Sequence, residues 1–219
     1  IRDVAVTGVQ TCALPISAFA APIAESRIRR VIYLSTVGVY GDHGGNWIDE
    51  TASVVGGQGR RKARIEAEAA WSKVAAGRTT ILRLAGIYGP RRNALINLKA
   101  GTAHRIVKPG QVFNRIHVDD VATSIAAAVA SDKAGTWNIC DDEPAPPQDV
   151  VAFAAELMGI APPPEIDFVA ADMSEMARSF YQTSNRISSA RMKRDLKVQL
   201  AYPTYRDGLT ALWAAGEGR

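Results

Sequence analysis

The chain of 219 residues is long enough for one domain with a small additional lobe, and its 47% apolar and 22% charged residues exclude an intrinsically disordered protein. No run of 18 apolar residues occurs, which excludes a transmembrane helix, and two cysteines exclude a disulfide framework. The 26 basic residues outnumber the 22 acidic ones for a net charge of +4, a tilt toward anionic ligands too weak to imply nucleic acid.

Residues 1–16, IRDVAVTGVQTCALPI, resemble the translation of a sequencing-library adaptor. The competing reading is a strand through Val4-Ala5-Val6-Thr7 turning at Gly8. It has no G-x-x-G after Gly8, and Pro15 falls where its helix should run. On the adaptor reading the natural sequence starts near Ser17 without its own beginning, and Cys140 is its one cysteine. Residues 18–30 then have helical spacing (Ala18, Ile23, Ala24, Ile28) and a basic end at Arg27, Arg29 and Arg30. Val31-Ile32-Tyr33-Leu34 is an apolar run that predicts a strand buried on both faces. Gly38, Gly41, Gly44 and Gly45 open a long loop with Asp42, His43, Asn46 and Trp47. Ala63, Ala67, Ala70, Trp71 and Val74 stripe one face of a helix over 60–74, and a strand follows at 79–84. This strand–helix–strand order predicts a right-handed βαβ unit and an α/β fold.

Further on, 93–100 reads as a short helix closed by Gly101, and Arg105-Ile106-Val107 and Val112-Phe113 as short strands. A long helix over 118–130 carries Asp119 and Asp120 in its first turn, where the dipole favours them. Trp137-Asn138-Ile139-Cys140 is another strand and 148–158 another helix. After Gly159 the pattern weakens, with helices near 184–196 and 203–214 and no internal repeat.

Four segments in register now carry a resemblance. They are Val31-Ile32-Tyr33-Leu34-Ser35-Thr36-Val37-Gly38-Val39-Tyr40-Gly41, Leu82-Arg83-Leu84-Ala85-Gly86-Ile87-Tyr88-Gly89-Pro90-Arg91, Arg115-Ile116-His117-Val118-Asp119-Asp120 and Trp137-Asn138-Ile139-Cys140-Asp141-Asp142-Glu143-Pro144. Together they resemble the extended short-chain dehydrogenases, the NAD-dependent epimerase/dehydratase family, across essentially all of 17–219. The resemblance implies a Rossmann fold, a doubly wound parallel sheet, that binds NAD or NADP, with a smaller C-terminal substrate lobe. On that reading 17–145 is the C-terminal half of the dinucleotide domain, with a substrate-lobe insertion near 92–114, and 146–219 supplies further substrate-lobe segments. The family's fingerprint G-x-x-G-x-x-G, on the first βα turn, is read as absent, so roughly 60–80 residues and the first strands are expected to be missing. Strand 31–34 is then expected to expose an apolar sheet edge.

The family's chemistry implies a Ser or Thr that orients substrate, a Tyr acid/base and a Lys four residues after it. The Lys ammonium lowers the Tyr pKa toward working pH. Thr36 fits the first slot, with Ser35 as alternative. The Tyr is missing, and two registers fit. One places Gln58 and Lys62 in the Tyr and Lys slots. The other aligns Glu68 with the family's usual glutamate and places Arg60 and Arg64 there; it is favoured because Arg60 and Arg64 border the apolar stripe while Lys62 lies round the helix. An Arg stays protonated and cannot act as a base, although it can clamp a carboxylate or phosphate. The implied cofactor contacts are Leu34, Ser35, Arg64, Ala85, Gly86, Ile87 and Tyr88. The implied substrate contacts are Tyr40, Arg91, Asn93, Arg115, Arg178 and Tyr181.

More ordinary roles compete with these. Arg60, Arg61, Lys62 and Arg64 also fit a solvated face paired with Glu66 and Glu68. His117, Asp119 and Asp120 fit N-capping better than metal binding, and no metal is expected. His43 is expected to face solvent, Cys140 to be a small core residue, and Trp71 and Trp137 to be core. The implied activity is an NAD(P)-dependent epimerase, dehydratase or reductase on a sugar nucleotide or other carbonyl or hydroxyl compound. The alternative is a catalytically silent dinucleotide-binding protein. The expected partner is a small molecule, with a homodimer open, no nucleic acid or membrane, and a cytoplasmic location.

Overall fold

A computed structural model describes residues 14–54 and 56–219. It opens with helix α1 (Leu14–Glu25). Strands β1 (Val31–Thr36), β3 (Thr79–Leu84) and β7 (Gly135–Ile139) form a parallel sheet in the order β1-β3-β7. Between the first two runs α2 (Gly59–Val74), the crossover that parallel pairing requires. All six residues of β3, polar Thr79, Thr80 and Arg83 included, are buried, as the central place of the strand between β1 and β7 requires. Among the described residues β1 has no second neighbour, and its Leu34 is 41% exposed.

Three two-stranded parallel pairs surround this sheet. They are β2 (Trp47–Ile48) with β9 (Arg186–Ile187), β4 (Gly86–Tyr88) with β6 (Arg115–His117), and β5 (Arg105–Val107) with β8 (Glu165–Asp167). The helices are α3 (Ala94–Lys99), α4 (Val118–Ala130), α5 (Pro147–Met158), α6 (Glu175–Phe180), α7 (Ala190–Leu196) and α8 (Tyr205–Ala214). A first core of Leu82, Trp137, Ile139, Ile116 and Met192 lies at the parallel sheet; a second, of Tyr88, Leu95, Val150, Tyr205 and Leu209, holds the C-terminal helices. Each fully buried large apolar side chain contributes about 2 kcal/mol.

Several expectations need correction. The first helix starts at Leu14, inside the adaptor-like string, and stops at Glu25, so the basic run is no helix end. Arg30 instead reaches the Lys133 carbonyl, and Arg78 donates to the Ile28 carbonyl at 2.6 Å. Residues 1–13 lie outside the described residues. Val112 forms no strand; Phe113 makes only an antiparallel bridge to Ala145. The helix expected near 184–196 begins at Ala190, because Arg186 and Ile187 are drawn into pairing with β2.

Two close approaches tie α8 and the chain ahead of it to α4 and β4. The buried Asp120 carboxylate accepts the backbone N–H of Ala201 at 2.7 Å and of Tyr202 at 3.0 Å, fixing the chain just ahead of α8. Gly208 on α8 packs directly on Tyr88: a Cβ there would lie against the phenol oxygen and 2.7 Å from two ring carbons. Gly208→Ala should therefore lose about 2 kcal/mol, because the strain of displacing Tyr88 exceeds the roughly 1 kcal/mol gain in helix propensity. The check is the urea midpoint; an unchanged or raised midpoint would show that Tyr88 yields freely.

Candidate active site

Strands β1 and β3 run parallel, so their carboxyl ends, Thr36 and Leu84, open on one side of the sheet, where ligands bind in this architecture. Thr36 is half-buried. Its Oγ1 accepts the Gly38 N–H at 3.1 Å and caps a short 3₁₀ turn over Val37–Tyr40. Its own hydroxyl proton has no acceptor among the described residues. Ser35 points to the opposite face, is buried, and donates to Glu68 Oε1 at 2.5 Å.

Glu68 anchors a polar network inside the α2–sheet layer. Arg83 grips it with two bonds, Nε to Oε1 at 3.1 Å and Nη2 to Oε2 at 2.7 Å, both side chains being 8% exposed. The Arg83 guanidinium lies 4.7 Å above the Tyr40 ring, and the Tyr40 hydroxyl donates to Asn138 Oδ1 at 2.8 Å. Asn138 N–H in turn donates to Glu50 Oε1 at 2.7 Å. The register explains the alignment, since Ser35, Arg83 and Asn138 are direct neighbours across β1, β3 and β7. Burial pushes the Tyr40 phenol up, against the pull of Arg83, and also pushes the Glu50 carboxyl up. This network was not legible from the sequence, where Glu68 read only as a register mark or an i,i+4 partner.

The basic run at the start of α2 divides. Lys62 pairs with Glu66 at 3.8 Å on the exposed face. Arg64 Nη1 donates to the Tyr33 hydroxyl at 3.3 Å. Arg60 is exposed and has no side-chain partner among the described residues, and Gln58 stands at the N-cap without a side-chain cap bond. Leu34 lies on the Thr36 face of β1.

At the end of β3, Ala85 N–H donates to the Ile139 carbonyl and Gly86 N–H to the Asn114 carbonyl, both at 3.0 Å. Gly86 is exposed, and a Cβ there would press on the Asn114 carbonyl at 3.1 Å. Ile87 pairs with Ile116. Tyr88 turns into the second core, its hydroxyl 3.4 Å from the Thr204 carbonyl, and burial pushes its phenol well up.

The remaining candidates are engaged by other partners. Arg91 holds φ +64°, and its N–H donates to Glu217 Oε2 at 3.0 Å. Asn93 is buried, donates to Glu217 Oε2 and the Gly89 carbonyl, and caps α3. Arg115 Nη1 donates to the carbonyls of Phe113 at 2.9 Å and Ala145 at 3.1 Å. Arg178 lies 5.0 Å from the Phe168 ring centroid and donates to the Phe168 and Ala171 carbonyls, while Tyr181 is buried against Phe113 and Phe168.

His117 Nδ1 accepts the Asp119 N–H at 3.2 Å, the capping role expected of it, and burial pushes its imidazole pKa down. His43 does not face open solvent: its N–H donates to Asn185 Oδ1 and its Nε2 sits 3.2 Å from the Tyr40 carbonyl. Cys140 is fully buried, with Sγ 3.2 Å from the Ile187 carbonyl.

The spacing G-x-x-G-x-x-G does occur, at Gly38, Gly41 and Gly44, directly after β1, and the sequence reading passed over it. It opens no helix. Gly38 and Gly44 N–H go to Thr36 Oγ1 and Asp42 Oδ1, and the Gly45 N–H to the Ser184 carbonyl at 2.6 Å. It is therefore a loop tied to the C-terminal segment, without the helix N-terminus that cradles a pyrophosphate.

The model of the NAD dependent epimerase/dehydratase family matches residues 16–140. A chain from Silicibacter pomeroyi DSS, described as a functionally unknown conserved protein, is 49% identical with a TM-score of 0.85, over 92% of this chain and 71% of that one. The dTDP-glucose 4,6-dehydratase of Bacillus anthracis str. Ames, solved in complex with NAD, superposes with a TM-score of 0.74 at 17% identity, over 93% of this chain and 66% of that one. A Streptomyces sp relative described as 3-diazoavenalumate denitrifying reductase is 29% identical over 143 residues; the match spans 59% of this chain but only 45% of that relative.

Proposed function

The chain belongs to the NAD dependent epimerase/dehydratase family, and from that premise we propose that it supplies the nicotinamide-side part of an NAD(P)-dependent oxidoreductase site acting on a hydroxyl or carbonyl carbon. Sugar nucleotides are the first substrate class to test. The observation that carries the reading is the Thr36 hydroxyl, held at the carboxyl end of β1 by its bond from Gly38 with its own proton unspent.

The residues present fit the nicotinamide end of such a cofactor. Exposed Gly86 leaves bare backbone at the end of β3, and half-buried Thr36 flanks it on β1. When bound, the nicotinamide gives or takes the hydride. Thr36 donates to the substrate oxygen and orients its carbon. Glu68 holds Ser35 and Arg83, which fixes the strand end that carries Thr36. Arg60 supplies a permanent cation that holds an anionic oxygen without exchanging its proton. The phenols of Tyr40 and Tyr88 are buried and bonded elsewhere, so neither stands in for the missing acid/base.

The test is fluorescence titration with NADH and turnover on a panel of sugar nucleotides and small carbonyl compounds. Thr36→Val should leave NADH affinity within a factor of about three and lower turnover by roughly 100-fold. Absence of both NADH binding and turnover in the unaltered chain would sink the reading. A second reading, a silent dinucleotide-binding protein, is favoured by one observation: α2 contains no tyrosine. Turnover that appears only in Arg60→Tyr or Gln58→Tyr, at unchanged NADH affinity, would establish it.

A further inference from the structure

The buried groups not used at that site converge where the parallel sheet hands over to the C-terminal helices. Asp141 follows β7 and is 1% exposed. Its N–H donates to the Arg115 carbonyl at 2.7 Å, and the next N–H, of Asp142, to the Pro203 carbonyl at 2.8 Å. Asp141 Oδ1 accepts the Glu143 N–H at 3.3 Å, whereas Oδ2 is buried without a partner among the described residues. Two residues beyond Glu143, Ala145 forms the antiparallel bridge to Phe113, with N–H···O bonds of 3.0 and 3.1 Å in both directions. Arg115 adds a clasp to that bridge, one Nη1 serving both of its carbonyls.

This geometry gives the Arg115 guanidinium two alternative partners. One is the pair of carbonyls it now holds; the other is the carboxyl of Asp141, whose own backbone N–H donates to the Arg115 carbonyl at 2.7 Å and whose Oδ2 has no partner among the described residues. A neutral carboxyl makes no strong claim on an arginine, but a buried carboxylate without a counter-ion is costly.

We propose that Asp141 and Arg115 form a proton-operated latch at this joint. With Asp141 neutral, Arg115 clasps the Phe113–Ala145 bridge; with Asp141 ionised, Arg115 turns to the carboxylate, releases both carbonyls and loosens the bridge. No bond other than the carboxyl O–H breaks, and the proton leaves to solvent. Its route is at hand, since Asp141 also lines a cavity of about 240 Å³ with Trp47, Ser188, Ser189 and Lys193.

The surrounding charges leave Arg115 as the available counter-ion. Lys193 of α7 is engaged by Asp142 at 2.5 Å. Asp142 and Glu143, on the same loop, favour the neutral carboxyl, and the phenol of Tyr88 on β4, itself pushed up by Asp141, stays neutral and supplies no charge. Tyr205 of α8 and Asp149 of α5 face Arg115 and support its charge. Burial raises the Asp141 carboxyl to about 8, against the pull of Arg115, so the changeover falls near neutral pH. The unfolded-state value is the ordinary 3.8. Stability from the neutral form is therefore complete below about pH 4 and is lost as pH rises through about 8.

The experiment compares the full chain with Asp141→Asn, an uncharged isostere, and with Asp141→Ser in case the amide packs poorly. From pH 6.5 to 9 the Tm of the unaltered chain should fall by roughly 4–8 °C more than that of either variant. Hydrogen exchange at Phe113 and Ala145, corrected for intrinsic base catalysis, should accelerate about tenfold or more above pH 8 in the unaltered chain only. Equal pH dependence in chain and variants would overturn the proposal. So would a Tm difference without local exchange at the bridge, because that would make Asp141 a buried acid with no latch.

Discussion

Glu68→Ala is expected to cost about 3–5 kcal/mol, a large part of the roughly 5–15 kcal/mol that holds a domain of this kind together. The reason is what the substitution leaves behind. Arg83 cannot lose its proton, is buried, and holds Glu68 with two bonds of 3.1 and 2.7 Å. Without the carboxylate its charge stays in the α2–sheet layer, 4.7 Å over the Tyr40 ring and with no carboxylate bonded to it among the described residues. Ser35 loses its acceptor as well.

Replacing both partners by apolar residues of similar size, Glu68→Leu with Arg83→Met, removes the stranded charge and should recover most of the loss. Urea midpoints of the two single variants and the double variant form a cycle that reads the coupling directly. Additive losses would mean that the bonded pair contributes nothing beyond its separate packing.

Asp120→Ala comes next, at about 3 kcal/mol. Asp120 is fully buried and accepts two backbone N–H groups, of Ala201 and Tyr202, that have no other acceptor among the described residues. Asp120→Asn should lose about 2 kcal/mol, since the amide keeps one acceptor but turns its NH₂ toward the second N–H. Thermal unfolding gives the size of the effect. Exchange at Ala201 and Tyr202 gives its place: protection there should drop in both variants before it drops in β3. Uniform loss across the chain would show that the carboxylate is no local fastener.

Both effects rest on contacts that the sequence conceals. Elements with a clear local signal were legible: β3 lies at 79–84 as expected, and α4 occupies 118–130 with acids in its first turn. The pairs β2–β9 and β4–β6 have two- or three-residue strands with no periodicity to read, and only tertiary pairing makes them strands, whereas β5 stands at 105–107 as its short run predicts. The partner of Glu68 lies 15 residues away on a strand, not four away on its own helix. Thr36 and Gly86 were legible as strand-end residues because glycine and hydroxyl residues following an apolar run mark the ligand side of this fold. The inward turn of Tyr88 was not, since it depends on Gly208, more than a hundred residues later.

The loop after β1 has a kinetic consequence. Its ties run to Ser184 and Asn185, across about 140 residues: Asp42 accepts the Ser184 N–H, His43 donates to Asn185, and the Asn185 amide donates to the Gly41 carbonyl. During synthesis the segment that carries Thr36 and Tyr40 emerges early, but those anchors appear only when residue 185 does. Until then the loop must wait unfastened, and closing so distant a contact makes its final ordering one of the slow, late events of folding.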